Sequence, residues 1–396
     1  MRKHFISSFL GLACFFLLSG CSNDDRSSYT EGIEQYDPVE ISLKSHNGSS
    51  VTVTPTRAAL VGDEDIDIPN IGVFGLARVI QDINNSPIGV DDDKWFAPTD
   101  NWSACILKNV ASHKEEYNIV WDDPTAKYFY PITQFYSYDF YGYYPYQPSS
   151  DLEYGDNIVT ANYVLDGKTD LLWGRATSTD PYAYSARYFR TNGTTDAFKP
   201  NIELKHLLTR FVFSVVPGES YEGSGDYSDA ANMRVDTLQV IDTYTNVAVT
   251  IADYDNLDME LSDRIYLRDQ TTDTLYLHSV DNEGNEIDLV PVHLEAPEPG
   301  QQPVPKPLGE SIMLFSQDRY TIRIVITMDA YHDEVSDTDV PEQHFISEVP
   351  LQLVSENMFA QGASYNVKIT VHGPRGIKLA ATLTPWEVQE GPSIEL

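Results

Sequence analysis

The sequence predicts an all-β protein, and three observations carry that expectation. Val, Ile, Tyr, Phe and Thr recur at every second position in many short stretches, the period of a strand with one buried face. Turn residues, 23 Gly and 23 Pro among them, punctuate the 396-residue chain, as short strands joined by tight connections require. No stretch sustains a 3.6-residue apolar repeat, and the best short helical candidates are Ala77–Asn84 and Ser355–Phe359.

In chain order, the first element is not part of the fold. Arg2 and Lys3 precede an apolar run from Phe9 to Leu18. That run falls short of the roughly 20 apolar residues of a membrane span and suits a signal-peptide core. It closes on Leu18-Ser19-Gly20-Cys21, which resembles a bacterial lipobox, so residues 1–20 are expected to be a lipoprotein signal peptide and Cys21 the acylated residue. No later segment is long and apolar enough for a spanning helix, so membrane attachment is expected through the lipid alone. Ser22–Asp37 is polar and reads as a tether. Alternation then begins: Val39, Ile41 and Leu43 form one face of a strand, and Val51 and Val53 repeat the pattern.

Beyond Arg57 the strand candidates are Ile71–Leu76, Cys105–Val110, Tyr117–Trp121, Tyr136–Tyr144, Ile158–Leu165, Phe211–Val216, Val235–Ile241 and Ala248–Ile251. They continue with Leu275–His278, Asp288–Leu294, Tyr320–Met328, Phe345–Leu353, Tyr365–Val371 and Ile377–Leu383. Spacings of roughly 8–15 residues between them point to β-sandwiches. Asn282-Glu283-Gly284-Asn285 reads as a hairpin loop, and the Pro-rich Glu295–Pro307 as a surface loop. A polar break at Thr191–Asn201 divides the body into two expected sandwich domains, 58–198 and 199–396, behind a segment 21–57 that belongs to neither.

Composition excludes several functions. With 60 Asp and Glu against 26 Lys and Arg, the formal charge is −34, which repels nucleic-acid phosphates and anionic lipid. Of three cysteines, only Cys105 lies beyond residue 21, so neither a disulfide framework nor a cysteine-rich zinc site is expected. Cys105 sits in an apolar run and reads as a core thiol rather than a nucleophile. There is no G-x-S-x-G turn, H-E-x-x-H helix, P-loop or dinucleotide fingerprint. His206 reads as an ordinary packed or surface histidine. The acidic stretches Asp91–Asp93, Asp253–Asp258 and Asp281–Asp288 read as solvated loops, because the two longer ones lack the glycine of a calcium-binding loop. Neither a metal nor a cofactor is expected, and the chain is not expected to be an enzyme.

The densest feature is the aromatic run Phe135–Tyr146. It could offer sugars a stacking platform. The favoured reading is a central strand with Tyr138, Phe140 and Tyr144 toward the core and Tyr141 and Tyr143 on the outer face.

The order of these features resembles the fimbrillin family, the type V pilins of Bacteroidetes. The resemblance lies in the lipobox, the tether, the alternating strand and Thr56-Arg57-Ala58-Ala59. It lies further in Asp139-Phe140-Tyr141-Gly142-Tyr143-Tyr144-Pro145, Asp170-Leu171-Leu172-Trp173, Leu204–Phe211, and the ending Tyr365–Val371, Ile377–Leu383, Trp386. It implies two tandem transthyretin-like β-sandwiches. It implies an outer-membrane lipoprotein precursor that an arginine-specific protease trims between Arg57 and Ala58. The lost strand, with Val39, Ile41, Leu43, Val51 and Val53, would uncover apolar surface worth on the order of 10 kcal/mol. A strand from another fimbrial subunit would fill the vacancy and build an extracellular fimbrium serving adhesion. Ile377, Leu379, Ala381 and Leu383 alternate as a donor strand should, although the same pattern suits a fixed last strand of the second domain. The alternative to a fimbrial subunit is a surface lipoprotein that binds glycans without polymerising.

Overall fold

The computed structural model describes residues 37–45, 67–78, 80–81, 87–88, 105–131, 137–155, 157–178, 180, 183–220, 223–333, 337–353, 358–373 and 376–384. Its strands belong to one unit, Pro38–Leu396. The first half contributes β1 (Leu43–Lys44), β2 (Ile68–Arg78), β3 (Cys105–Glu115), β4 (Asn118–Trp121) and β5 (Ser137–Tyr144). It continues through β6 (Leu152–Tyr154), β7 (Ile158–Val164), β8 (Leu172–Ala176), helix α1 (Ala186–Asn192) and β9 (Lys205–His206). The second half supplies β10 (Thr209–Pro217), β11 (Met233–Tyr244), β12 (Asn246–Asp253), β13 (Ile265–Leu267) and β14 (Thr272–Tyr276). Last come β15 (Lys306–Leu314), β16 (Arg319–Met328), β17 (Gln343–Gln352), β18 (Ser364–Gly373) and β19 (Gly376–Thr384).

The protein is all-β, built as two sandwiches. In the first, a sheet in the order β1-β4-β3-β2-β5-β8-β9 faces a sheet in the order β13-β12-β7-β6. One buried cluster joins them, from Val39 through Leu208 and on to Val247, Val249, Ile251 and Ile265. The hairpin β12–β13 comes from the second half of the chain yet completes the first sandwich. Trp173 Nε1 donates to Ile251 O at 2.8 Å across the layers. The Arg264 guanidinium lies 3.6 Å above the Trp173 ring, and burial pulls its pKa down to about 10. The second sandwich sets β15-β10-β18-β19 against β14-β11-β16-β17 around a separate cluster that includes Phe211, Tyr320, Phe359 and Tyr365. There β10 and β18 run parallel, Arg210 opposite Ser364 through Pro217 opposite Val371.

The aromatic run corrects one expectation. β5 is the central strand, but Tyr141 and Tyr143 are as deeply buried as Tyr138 and Phe140. Tyr138 and Phe140 meet Tyr130, while Tyr141 meets Trp173 and Tyr143 meets Phe74. Material packs on both faces, so these rings cannot serve as a sugar platform. Gly142 and Gly174 lie opposite each other in β5 and β8, and they let the chain at 202–204 approach. A Cβ on Gly174 would fall 2.3 Å from Glu203 O, and one on Gly142 would crowd Ile202 and Leu204.

A second correction concerns Ala77–Asn84, read as a helical candidate. Ala77 and Arg78 end β2, paired with Tyr138 and Ser137, and Ile80–Gln81 pairs with Pro87–Ile88. Sheet pairing overrides the weak local pattern. Residues 355–357 of the other helical candidate lie outside the described residues. The longest helix among the described residues, the seven-residue α1, is capped by Ser185, whose side chain accepts from Tyr188 N, and stops at Gly193 with φ of 89°. β15 begins at Lys306, inside the stretch read as a Pro-rich loop.

Candidate functional site

The segment 38–45 is where sequence and structure meet most informatively. Its odd-numbered residues point inward: Val39, Ile41, Leu43 and Ser45 are 9%, 2%, 0% and 0% exposed. Backbone groups of these residues bond one flank. Ile41 N donates to Tyr128 O at 2.8 Å, Tyr130 N donates to Val39 O at 2.9 Å, and Ser45 N donates to Tyr117 O at 3.0 Å. Leu43 and Lys44 lie opposite Ile119 and Asn118 of β4. The opposite edge bonds a different flank: Lys44 N donates to Pro200 O and Ile202 N donates to Lys44 O, both at 2.8 Å. Ser45 Oγ donates to Ile202 O at 2.9 Å.

The segment is therefore an inserted strand, held between two flanks. A strand whose inward residues are aliphatic belongs there because its alternate side chains reach one core while its peptide groups reach both sides. Without it, Tyr117 O, Tyr128 O and Pro200 O would lose donors, and Tyr130 N and Ile202 N would lose an acceptor. Such orphaned groups cost about 1–3 kcal/mol each where water cannot reach them.

The expected donor segment forms β19, the end strand of its sheet among the described residues. It pairs with β18 from Ser364 opposite Thr384 to Gly373 opposite Gly376. Ile377 and Leu379 are half-buried against the second core; for Ala381 and Leu383 the backbone is described, opposite Val367 and Tyr365. In this chain β19 and the inserted segment thus occupy different sandwiches. Cys21, Val51, Val53, Arg57 and Ala58 lie outside the described residues.

The alternation of Val39, Ile41 and Leu43 does not announce Ser45, because a serine breaks an apolar pattern. Its parity with Val39, Ile41 and Leu43 was the available signal. The two flanks could not be foreseen, since 117–130 and 200–202 come together only through the fold.

Other candidate residues have structural partners. Cys105 is free, its Sγ 3.4 Å from Leu107 O, and burial pushes its thiol up to about 12, far from a reactive thiolate. His206 Nδ1 lies 2.5 Å from a carboxylate oxygen of the buried Asp170. In the 281–288 stretch, Asp281 Oδ1 accepts from Glu283 N and Asn285 N, shaping the hairpin between His278–Val280 and Glu286–Asp288. Among the described residues no group of three His, Cys, Asp or Glu side chains is placed to hold a metal.

Residues 56–386 match the sequence profile of the fimbrillin-like family. No curated protein sequence matches the chain. Among solved structures, a fimbrial protein from Bacteroides vulgatus is 14% identical, with a TM-score of 0.49 over 87% of this chain and 99% of that one. The fimbrial anchor protein Mfa2 from Porphyromonas gingivalis is 9% identical, with a TM-score of 0.31 over 88% of this chain and 99% of that one. The tip fimbrial protein Mfa3 from the same organism, with C-terminal truncation, is 8% identical, with a TM-score of 0.38 over 88% of this chain and 100% of that one. With the profile spanning most of its length, from just before Arg57 to Trp386, this chain belongs to the fimbrillin-like family of structural fimbrial proteins.

Proposed function

We propose that this fimbrial-family protein is exported as a lipoprotein anchored through Cys21, trimmed between Arg57 and Ala58, and polymerised by strand exchange into a cell-surface fimbrium that serves adhesion. Its partners are other fimbrial subunits, of its own or a related kind, and an arginine-specific protease.

The observation that carries the reading is the inserted strand 38–45, buried on its inward face and hydrogen-bonded on both edges. It precedes Arg57 in the chain, so cleavage there severs it from the body it fills. Burying Val39, Ile41 and Leu43 contributes roughly 5–9 kcal/mol at about 1.5–3 kcal/mol per side chain, an upper figure relative to an extended chain. Departure of the strand exposes that apolar surface together with unpaired backbone groups on two sides. Only another extended strand satisfies both at once. β19, with its alternating apolar residues, supports the donor role.

Trimming with an arginine-specific protease tests the proposal. Mass spectrometry should find a new N-terminus at Ala58, and the product should form a series of oligomers. Arg57→Ala should abolish both. Oligomers from untrimmed Arg57→Ala protein would overturn the trimming step.

A further inference from the structure

The inserted strand presents an ordered set of side-chain sizes. Ile41 and Leu43 fill large sites, and the next inward site holds Ser45, fully buried, tied through its hydroxyl to Ile202 O and through its amide to Tyr117 O. Close-packed surroundings accept a small side chain there and resist a large one.

Resting on the strand-exchange reading, we infer that this large–large–small order fixes the register in which a second copy of the chain enters, with Ile377 in the Ile41 site, Leu379 in the Leu43 site and Ala381 in the Ser45 site. The inward candidates of β19 read Ile377, Leu379, Ala381, Leu383. Only one placement in the direction of the original strand sets two large residues before a small one. Sliding by two puts Ala381 in the Leu43 site and Leu383 in the Ser45 site, leaving a cavity beside an overfilled one. In the reversed direction, Pro385 would have to take the Ile41 site before Leu383 and Ala381 followed, and proline has no amide hydrogen for Tyr128 O. The match has two deficits: alanine offers no hydroxyl to Ile202 O, and Arg375 falls at the Val39 site, the most exposed of the four inward positions. Ser45 and Ala381 are thus the specificity-determining pair.

Grafting into the untrimmed full chain tests the register without any assembly. Over positions 41–45 the inferred register requires only Ser42→Lys, Lys44→Ala and Ser45→Ala. That triple variant should melt within about 5 °C of the parent. The slid register over the same five positions, Ile41→Leu, Ser42→Ala, Leu43→Ala, Lys44→Thr and Ser45→Leu, should lower the melting temperature by more than about 10 °C, or prevent folding. Equal tolerance of the two grafts, or failure of the first, overturns the inference.

Assembly of trimmed protein supplies the second arm. Ala381→Leu should slow oligomer formation at least about tenfold, whereas Ala381→Ser, which restores the hydroxyl, should assemble at least as fast as the parent. If the parent forms oligomers and Ala381→Leu keeps pace with it, the register is overturned and strand exchange stands. If the trimmed parent stays monomeric while the first graft folds, strand exchange itself is overturned, and the inference with it.

Discussion

Leu43 is fully excluded from solvent, so under the proposed trimming its burial would couple stability of the precursor to later activation. Leu43→Ala should destabilise the untrimmed chain by about 2–5 kcal/mol, read from chemical denaturation. The loss should disappear once residues up to Arg57 have been removed and replaced by a donor strand, a distinction that an ordinary core residue would not show. His278 gives a separate residue-scale expectation. Burial holds its imidazole below the usual range, with Lys168 acting the same way and Glu286, Glu310 and Asp166 opposing. The unfolded chain therefore takes up the proton first. The neutral form's contribution to stability is full above about pH 6.5 and is lost as pH falls below that value. His278→Gln should flatten this part of the stability profile relative to the parent, while the acid loss due to carboxylates stays in both. Coincident profiles between pH 7 and pH 5 would exclude the effect.

At the scale of elements, most strands were legible because one-sided burial writes itself as alternation. β16 runs Arg319–Met328 against the expected Tyr320–Met328, and β18 and β19 match Tyr365–Val371 and Ile377–Leu383 within a residue or two. Illegible elements had other sources of stability. β15 takes in Lys306 and Pro307, the end of the stretch read as a loop, yet it pairs with β10 along most of its length. α1 is short and aromatic, and its clearest markers were Ser185 and Gly193 at its ends. The exchange of β12–β13 into the first sandwich left no trace in local pattern, because it depends on Trp173, Ile251 and Arg264 meeting across sheets. It has a consequence for cutting the chain. A fragment ending at residue 198 lacks β12 and β13, and should not fold. Adding a fragment carrying 199–396 should restore protection of the β7 amides in hydrogen exchange. A cooperatively folded 58–198 fragment would show that β12–β13 is dispensable.

For the whole molecule, the full chain's charge of −34 would set subunits against one another while the proposed strand exchange draws them together. Screening should therefore accelerate assembly of trimmed protein as ionic strength rises from about 0.01 M to 0.15 M, with the Debye length falling from roughly 30 Å to 8 Å. Light scattering would follow it, and a rate that falls with salt would contradict the charge argument. The candidate site was half legible at this scale. Val39, Ile41 and Leu43 announced a strand; that it lies between two flanks, and so would leave a slot rather than a bare edge on removal, depends on the return of the chain at 200–202. Limited digestion of the full chain with an arginine-specific protease, followed by mass spectrometry and sizing of the product, tests the central claim most directly. The account expects a fragment beginning at Ala58, free of the 38–45 strand and assembled into oligomers; a trimmed chain that remains a stable, folded monomer would contradict it.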